Sequence, residues 1–306
     1  MRTHRMRVLV VGLGAMGEPM ARRLVGDAQV SVYDVAQDRR EAVAAAIGAE
    51  VVADPSLVIG DFEVVILMLP NSDIVDQVLS GSGLAARMRA GTVVVDMGSS
   101  DPFRTRELAA LLQEHGVDLV DAPVSGGRAR AISGELTIMT GGSAVAKETV
   151  APLLRALGTS VIDVGVTGNG HAMKALNNLL SATGLLAACE VIASGQRFGL
   201  TPETMLAVIN ASTGRNHATQ VKFAEFILSR RFDAGFAIGL MVKDLNTAGS
   251  LVDRVLPEGN LLSQVIDEWA QALEHLEDGS ADHTAVARWV ETVSGAQLTA
   301  DASLGV

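Results

Sequence analysis

Residues 7–17 read Arg7-Val8-Leu9-Val10-Val11-Gly12-Leu13-Gly14-Ala15-Met16-Gly17, an apolar β-branched run that breaks into three spaced glycines. Met20, Ala21, Leu24 and Val25 then recur at helical spacing, and a second short run, Val30-Ser31-Val32-Tyr33, ends on Asp34. Strand, glycine turn, helix, strand and acid in this order are the layout of a dinucleotide-binding βαβ unit. A bare glycine pattern also occurs in ordinary turns; its flanks are what point to a cofactor. Gly12 permits the tight turn, Gly14 removes a Cβ where backbone meets pyrophosphate, and Gly17 lets helix and strand pack closely. The helix start offers unpaired N–H groups and a positive dipole end. Gly12, Leu13, Gly14, Ala15, Met16 and Gly17 are therefore the expected phosphate cradle. Asp34 is expected to accept hydrogen bonds from ribose hydroxyls and to repel a 2′-phosphate, favouring NAD over NADP. Arg39 and Arg40 follow closely and leave NADP possible.

The rest of the 306 residues sets the class. The chain is 48% hydrophobic, enough for full cores. A net charge of −11 argues against nucleic acid or an acidic membrane as partner. One cysteine, Cys189, cannot form an internal disulfide and fits a reducing cytoplasm; among Leu185, Leu186, Ala187 and Ala188 it reads as a small buried filler. The basic start (Arg2, Arg5, Arg7) leads straight into the first strand, without the cleavage pattern of a leader. The apolar run from Leu179 to Gly195 contains Glu190 and follows Lys174, Asn177 and Asn178, so it reads as a buried helix and not a membrane span. The six histidines form no metal-ligand pattern. A soluble, cytoplasmic protein without a metal is expected.

Through about residue 163 short apolar runs alternate with helical stretches: 64–68, 93–95, 119–120, 136–139 and 161–162, with one helix near 102–115. Such alternation predicts an α/β Rossmann domain, a doubly wound and mostly parallel sheet, over 1–165. From 166 to 306 the pattern predicts an all-α domain. It is joined by a long helix from Thr167 to near Phe198 and continues with helices over 202–212, 215–229, 239–255, 260–276 and 282–293. The small, polar tail after Val293 is expected to fray.

Three further segments carry chemistry. In Asp121-Ala122-Pro123-Val124-Ser125-Gly126-Gly127, two adjacent glycines leave backbone N–H groups unshielded and Ser125 adds a hydroxyl, a set suited to a carboxylate. A plain turn is the alternative. In Gly168-Asn169-Gly170-His171-Ala172-Met173-Lys174-Ala175-Leu176-Asn177-Asn178, the residues His171, Lys174 and Asn178 share one helix face. A desolvated lysine suits general acid/base work, whereas a snorkelling surface lysine is the bland reading. For His171 a hydrogen-bonded structural role competes with a catalytic one. In the segment 236–244, Lys243 and Asp244 interrupt an apolar helix, which internal logic reads as a partly exposed pair.

The four segments, in this order and at these separations, resemble the β-hydroxyacid dehydrogenase family, which includes 3-hydroxyisobutyrate dehydrogenase and tartronate semialdehyde reductase. The similarity spans roughly residues 6–293. It implies an NAD(P)-dependent oxidoreductase that interconverts a short 3-hydroxy carboxylic acid and its 3-oxo acid or semialdehyde. It also implies a small carboxylate substrate and a helical C-terminal domain that makes homodimers or homotetramers. By this resemblance Lys174 is the acid/base, Asn178 orients the substrate, and Ser125, Gly126 and Gly127 hold its carboxylate. Leu69, Pro70 and Ser99 line the cofactor, and Lys243 lies near the nicotinamide. The run Arg128-Ala129-Arg130-Ala131 departs from the family pattern; either arginine could meet a second anionic group, or both could face solvent. Two alternatives stand beside this reading: an imine reductase-like enzyme, which usually has Asp or Tyr at the position of Lys174, and a non-catalytic dinucleotide-binding module.

Overall fold

Val8 and Val10 project to one side of the first strand, Leu9 and Val11 to the other, and all four are buried. Side chains alternate along a strand, so an unbroken apolar run requires a sheet covered on both faces. The computed structural model, which describes residues 5–256 and 260–300, has that architecture in the first of two units, Met1–Lys174 and Ala175–Val306.

In chain order the first unit contains β1 (Arg7–Val11), α1 (Gly17–Leu24), β2 (Gln29–Tyr33), α2 (Gln37–Ile47), β3 (Glu50–Val51), α3 (Pro55–Val58), β4 (Val64–Leu67) and α4 (Ser72–Asp76). It continues with β5 (Val93–Asp96), α5 (Pro102–Gln113), β6 (Asp118–Asp121), β7 (Val124–Ser125), α6 (Gly127–Ser133), β8 (Thr137–Gly141), α7 (Ala144–Leu157) and β9 (Ser160–Gly165). The sheet order is β3-β2-β1-β4-β5-β6-β8-β7, with β9 also beside β8. Pairing is parallel from β3 through β6, while β8 runs antiparallel to β6 and β7. The chain order reverses between β2 and β4 on either side of β1, the switch point at which α/β sheets bind ligands.

Local signals set the boundaries. Asp101 caps α5 by accepting from the N–H groups of Phe103 and Arg104 at 2.8 and 3.1 Å, with Pro102 in the first turn. Asn71 and Ser143 cap α4 and α7 in the same way.

The second unit is built from helices. The 30-residue α8 (Asn169–Phe198) runs into it from the first and is followed by α9 (Pro202–Ala211), a π-helix at Ala218–Ile227, α10 (Ile238–Val255), α11 (Leu261–Leu276) and α12 (Val286–Ser294). Trp269, wholly buried, centres its core and donates its indole N–H to the Ala182 carbonyl at 3.3 Å. By length and composition α8 would pass as a membrane span, but half of its most apolar window is buried within the protein.

Three expectations change. The segment at 121–127, for which a plain turn is the alternative to a carboxylate site, holds β7, paired with β8, and opens α6 at Gly127. The helix expected over 215–229 is a π-helix. The segment beyond Val293 is packed as far as it is described. Leu298 is fully buried, its N–H reaches Glu291 at 2.6 Å, and the Gln297 carbonyl accepts from Gln196 at 2.6 Å. A single apolar side chain docked in a core outweighs the polar composition around it.

Candidate active site

Three strand-end loops meet backbone on backbone. Gly12 has φ +92°, and a Cβ there would stand 2.4 Å from the Met68 carbonyl oxygen. At Gly17 a Cβ would stand 1.9 Å from the Gly12 carbonyl oxygen, and at Gly98 one would stand 2.8 Å from that of Leu69. No side chain fits these contacts, so the loops after β1, β4 and β5 close on one another. They bring the glycine turn, Leu69-Pro70 and the segment containing Ser99 together. Gly14 is different: nothing lies within 4 Å of a Cβ built there. It opens on a cavity of about 570 Å³ lined by Gly12, Gly14, Asp34, Leu69 and Pro70 among others. Leu13, Ala15, Met16, Gly17 and Ser99 are not in its lining. Bare backbone at a helix start beside a partly open, largely apolar space fits a dinucleotide.

Asp34 is buried and doubly engaged. Its Oδ2 accepts the Leu13 N–H at 2.8 Å and its Oδ1 the Ala36 N–H at 2.9 Å, so the carboxylate ties the end of β2 to the glycine turn. Arg39 approaches Oδ2 at 3.7 Å, and Arg40 donates to the Asp34 carbonyl at 3.1 Å.

Ser125, half-buried, ends β7, and Gly126 and Gly127 follow with φ +130° and +66°, both exposed. The stem of Arg130 lies across this turn: a Cβ on Gly126 would meet Arg130 Cδ at 2.5 Å. Arg128 and Arg130 are exposed, and among the described residues neither guanidinium has an ion pair or a hydrogen bond.

His171, Lys174 and Asn178 fall on one face of α8, with His171 and Asn178 buried and Lys174 half-buried. His171 is a hydrogen-bonded core residue, its Nδ1 being 2.8 Å from Thr105 Oγ1. Asn178 donates its amide to Asp244 Oδ2 at 2.7 Å, and Lys243 Nζ stands 3.2 Å from Asp244 Oδ1. Of the pair read as partly exposed, Lys243 is half-buried, whereas Asp244 is buried and joins Asn178 to Lys243. The sequence pattern marks Asp244 only as half of a charged pair and gives neither its burial nor its bond to Asn178. The available signal was a carboxylate amid Leu240, Met241, Val242 and Leu245, where burial without partners is costly.

Cys189 is fully buried, and burial pushes its thiol far above the usual range, which removes it as a nucleophile. Among the described residues no group of three or more His, Cys, Asp or Glu is placed to hold a metal.

Residues 7–168 match the NAD-binding domain of 6-phosphogluconate dehydrogenase, and residues 168–290 match a model described as NAD-binding of NADP-dependent 3-hydroxyisobutyrate dehydrogenase. The chain is 42% identical over 242 residues to 2-(hydroxymethyl)glutarate dehydrogenase of Eubacterium barkeri, covering 78% of this chain and 79% of that one. It is 34% identical over 250 residues to the NAD-dependent L-serine dehydrogenase of Pseudomonas aeruginosa, covering 79% and 84%. Among solved structures, 3-hydroxyisobutyrate dehydrogenase of Mycobacterium tuberculosis with L-serine superposes with a TM-score of 0.86 at 28% identity, over 94% of this chain and 99% of that one. An imine reductase from Myxococcus stipitatus, at 17% identity and a TM-score of 0.61, shares the fold.

Proposed function

Because the chain belongs to the β-hydroxyacid dehydrogenase family, we propose that Lys174 is its general acid/base and that it works with NAD on a short 3-hydroxy acid bearing a second anionic group. The enzyme class is that of the family: an NAD(P)-dependent oxidoreductase interconverting a 3-hydroxy acid and its 3-oxo acid. The observation that carries the site reading is on α8, where Lys174 and Asn178 lie one turn apart and the Asn178 amide is held by buried Asp244.

In oxidation Lys174 takes the hydroxyl proton of the substrate, and in reduction it returns that proton. The dinucleotide, when bound, supplies the hydride acceptor or donor. Asn178, fixed by Asp244, presents its amide to the substrate in one orientation. Ser125, Gly126 and Gly127 hold the carboxylate through a hydroxyl and exposed N–H groups. Gly12, Leu13, Gly14, Ala15, Met16 and Gly17 hold the pyrophosphate, Leu69, Pro70 and Ser99 line the rest of the dinucleotide, and Lys243 faces the nicotinamide end. Residues 1–165 form the dinucleotide-binding domain and also carry the Ser125-Gly126-Gly127 turn, while the helical residues 166–306 carry Lys174, Asn178 and Lys243 and serve assembly.

Asp34 supports NAD over NADP, since a 2′-phosphate would meet a buried carboxylate. The second anionic group is supported by Arg130, laid over Gly126, and by the glutarate skeleton in the name of the Eubacterium barkeri relative, which has two carboxyl groups. A homodimer or homotetramer is supported by apolar side chains on α8 that stand in solvent, Leu180 at 73% and Phe198 at 86% exposure. The test is to follow reduced cofactor with NAD or NADP and a panel of mono- and dicarboxylic 3-hydroxy acids. Absence of turnover with every acid would overturn the reading in favour of a binding module.

A further inference from the structure

Asp121 sits fully buried at the end of β6. Its Oδ1 accepts the N–H of Gly168 at 2.8 Å and its Oδ2 that of His171 at 2.9 Å. N–H groups at a helix start have no acceptor within the helix, so a carboxylate almost fifty residues away in sequence caps α8. The approach is close enough to exclude side chains. A Cβ on Gly170 would lie 2.7 Å from the carbonyl oxygens of Asp121 and Met139, and one on Gly141 would lie 2.7 Å from Asp121 Oδ1.

The His171 ring completes the anchor. The Thr105 hydroxyl donates to the Asp101 carbonyl at 2.9 Å, so the hydrogen between Thr105 Oγ1 and His171 Nδ1 belongs to the ring. Nε2 lies 3.7 Å from Asp96 Oδ2 and has no hydrogen bond among the described residues. Asp96 in turn accepts from the Gly98 N–H at 2.9 Å and the Ser100 hydroxyl at 2.7 Å, which orders the loop carrying Ser99. One buried cluster thus joins the ends of β5 and β6, the start of α5 and the first turn of α8. Lys174 is the next residue on the His171 face.

We propose that Asp121, with His171 and Thr105, is a positioning device for the reaction: it fixes the axial position and rotation of the first turn of α8 and thereby the place of the Lys174 amine. This rests on the reading of Lys174 as acid/base. None of the three need touch the substrate. They act through the helix, where a misplacement of about 1 Å costs on the order of a hundredfold in rate.

The test is a double-mutant cycle between Asp121→Asn and Lys174→Met, read as kcat for the 3-hydroxy acid and as Kd for NAD by fluorescence titration. Asp121→Asn retains the shape but only one of the two acceptors. Its kcat is expected to fall about ten- to a hundredfold while Kd for NAD stays within about twofold. In the Lys174→Met background the same change should have no further effect on the residual rate. An equal loss in both backgrounds, or wild-type kcat in Asp121→Asn, would overturn the positioning role. Near-wild-type turnover in Lys174→Met alone would instead overturn the acid/base reading. Should Asp121→Asn fail to fold, Thr105→Val is the second variant. It removes the acceptor of the ring N–H and the hydroxyl's bond to the Asp101 carbonyl, which keeps the Thr105 N–H at 3.0 Å, so a severalfold loss of kcat with unchanged Kd is expected, again absent in the Lys174→Met background. Unchanged kcat there overturns the proposal.

Discussion

Lys174 is worth two to four orders of magnitude in turnover if it moves the proton, the usual contribution of a positioned acid/base being about 10²–10⁴. Lys174→Ala should therefore lose that much kcat and keep its affinity for NAD, measured by titration; retention of more than about a tenth of the rate would refute the assignment. For cofactor choice Asp34→Asn is the informative variant. Asp34→Ala would also remove the acceptors of the Leu13 and Ala36 N–H groups and so loosen the turn for either cofactor. NAD should be preferred at least about tenfold in kcat/KM by the wild type, and Asp34→Asn should narrow that ratio severalfold, since it removes the charge but keeps one acceptor. Arg130→Ala is expected to lower kcat/KM for a dicarboxylic 3-hydroxy acid by about ten- to a hundredfold, the worth of a charge-assisted hydrogen bond, and to leave monocarboxylic acids nearly unchanged. Equal losses on both kinds of acid would assign Arg130 to the shape of the Gly126 turn and not to recognition.

Between elements, one carboxylate in the second unit organises a junction. Asp282 accepts from the Gly235 N–H at 2.7 Å and from the Thr284 N–H at 2.9 Å, joining the approach to α10 to the short 3₁₀ turn (His283–Ala285) that leads into α12. Burial pushes its carboxyl up, but the hydrogen bonds of His283 and Thr284 outweigh that and hold it well below the usual carboxylate range. A folded pKa below the unfolded value of about 3.9 means stability that is fully present above the unfolded value and lost as pH falls toward the folded one. Urea unfolding of Asp282→Ala should show a loss of about 1–3 kcal/mol at pH 7. Between about pH 5 and pH 3 its stability should fall less steeply than that of the wild type. A parallel fall in both proteins would remove Asp282 from the acid response.

At the scale of the whole molecule, the exposed apolar side chains of α8 are too many for comfort in water. Size-exclusion chromatography with light scattering should report a dimer or tetramer, and Leu180→Asp with Phe198→Asp should shift it toward monomer. A wild-type monomer would leave those residues without a partner and refute the assembly proposed above. Cys189, buried on the same helix, should resist thiol reagents until the protein unfolds.

Local physics wrote much of this into the chain. Continuous apolar runs such as Val64-Val65-Ile66-Leu67 must be doubly covered strands, and glycines at 12, 14 and 17 after such a run leave little but a phosphate turn. The helical stretches read from apolar spacing ended within a few residues of the helices found. Periodicity and turn chemistry act over a few residues, so a sequence displays them directly. What it could not display were contacts between residues far apart. Asp244 clamps Asn178 from a helix more than sixty residues away, and Asp121 caps α8 from a strand nearly as remote. Leu298 docks a segment whose composition reads as loose, and β7 owes its two residues to the partner strand beside it. A carboxylate's burial and partner depend on which surfaces the folded chain brings together, and only the tertiary structure decides that.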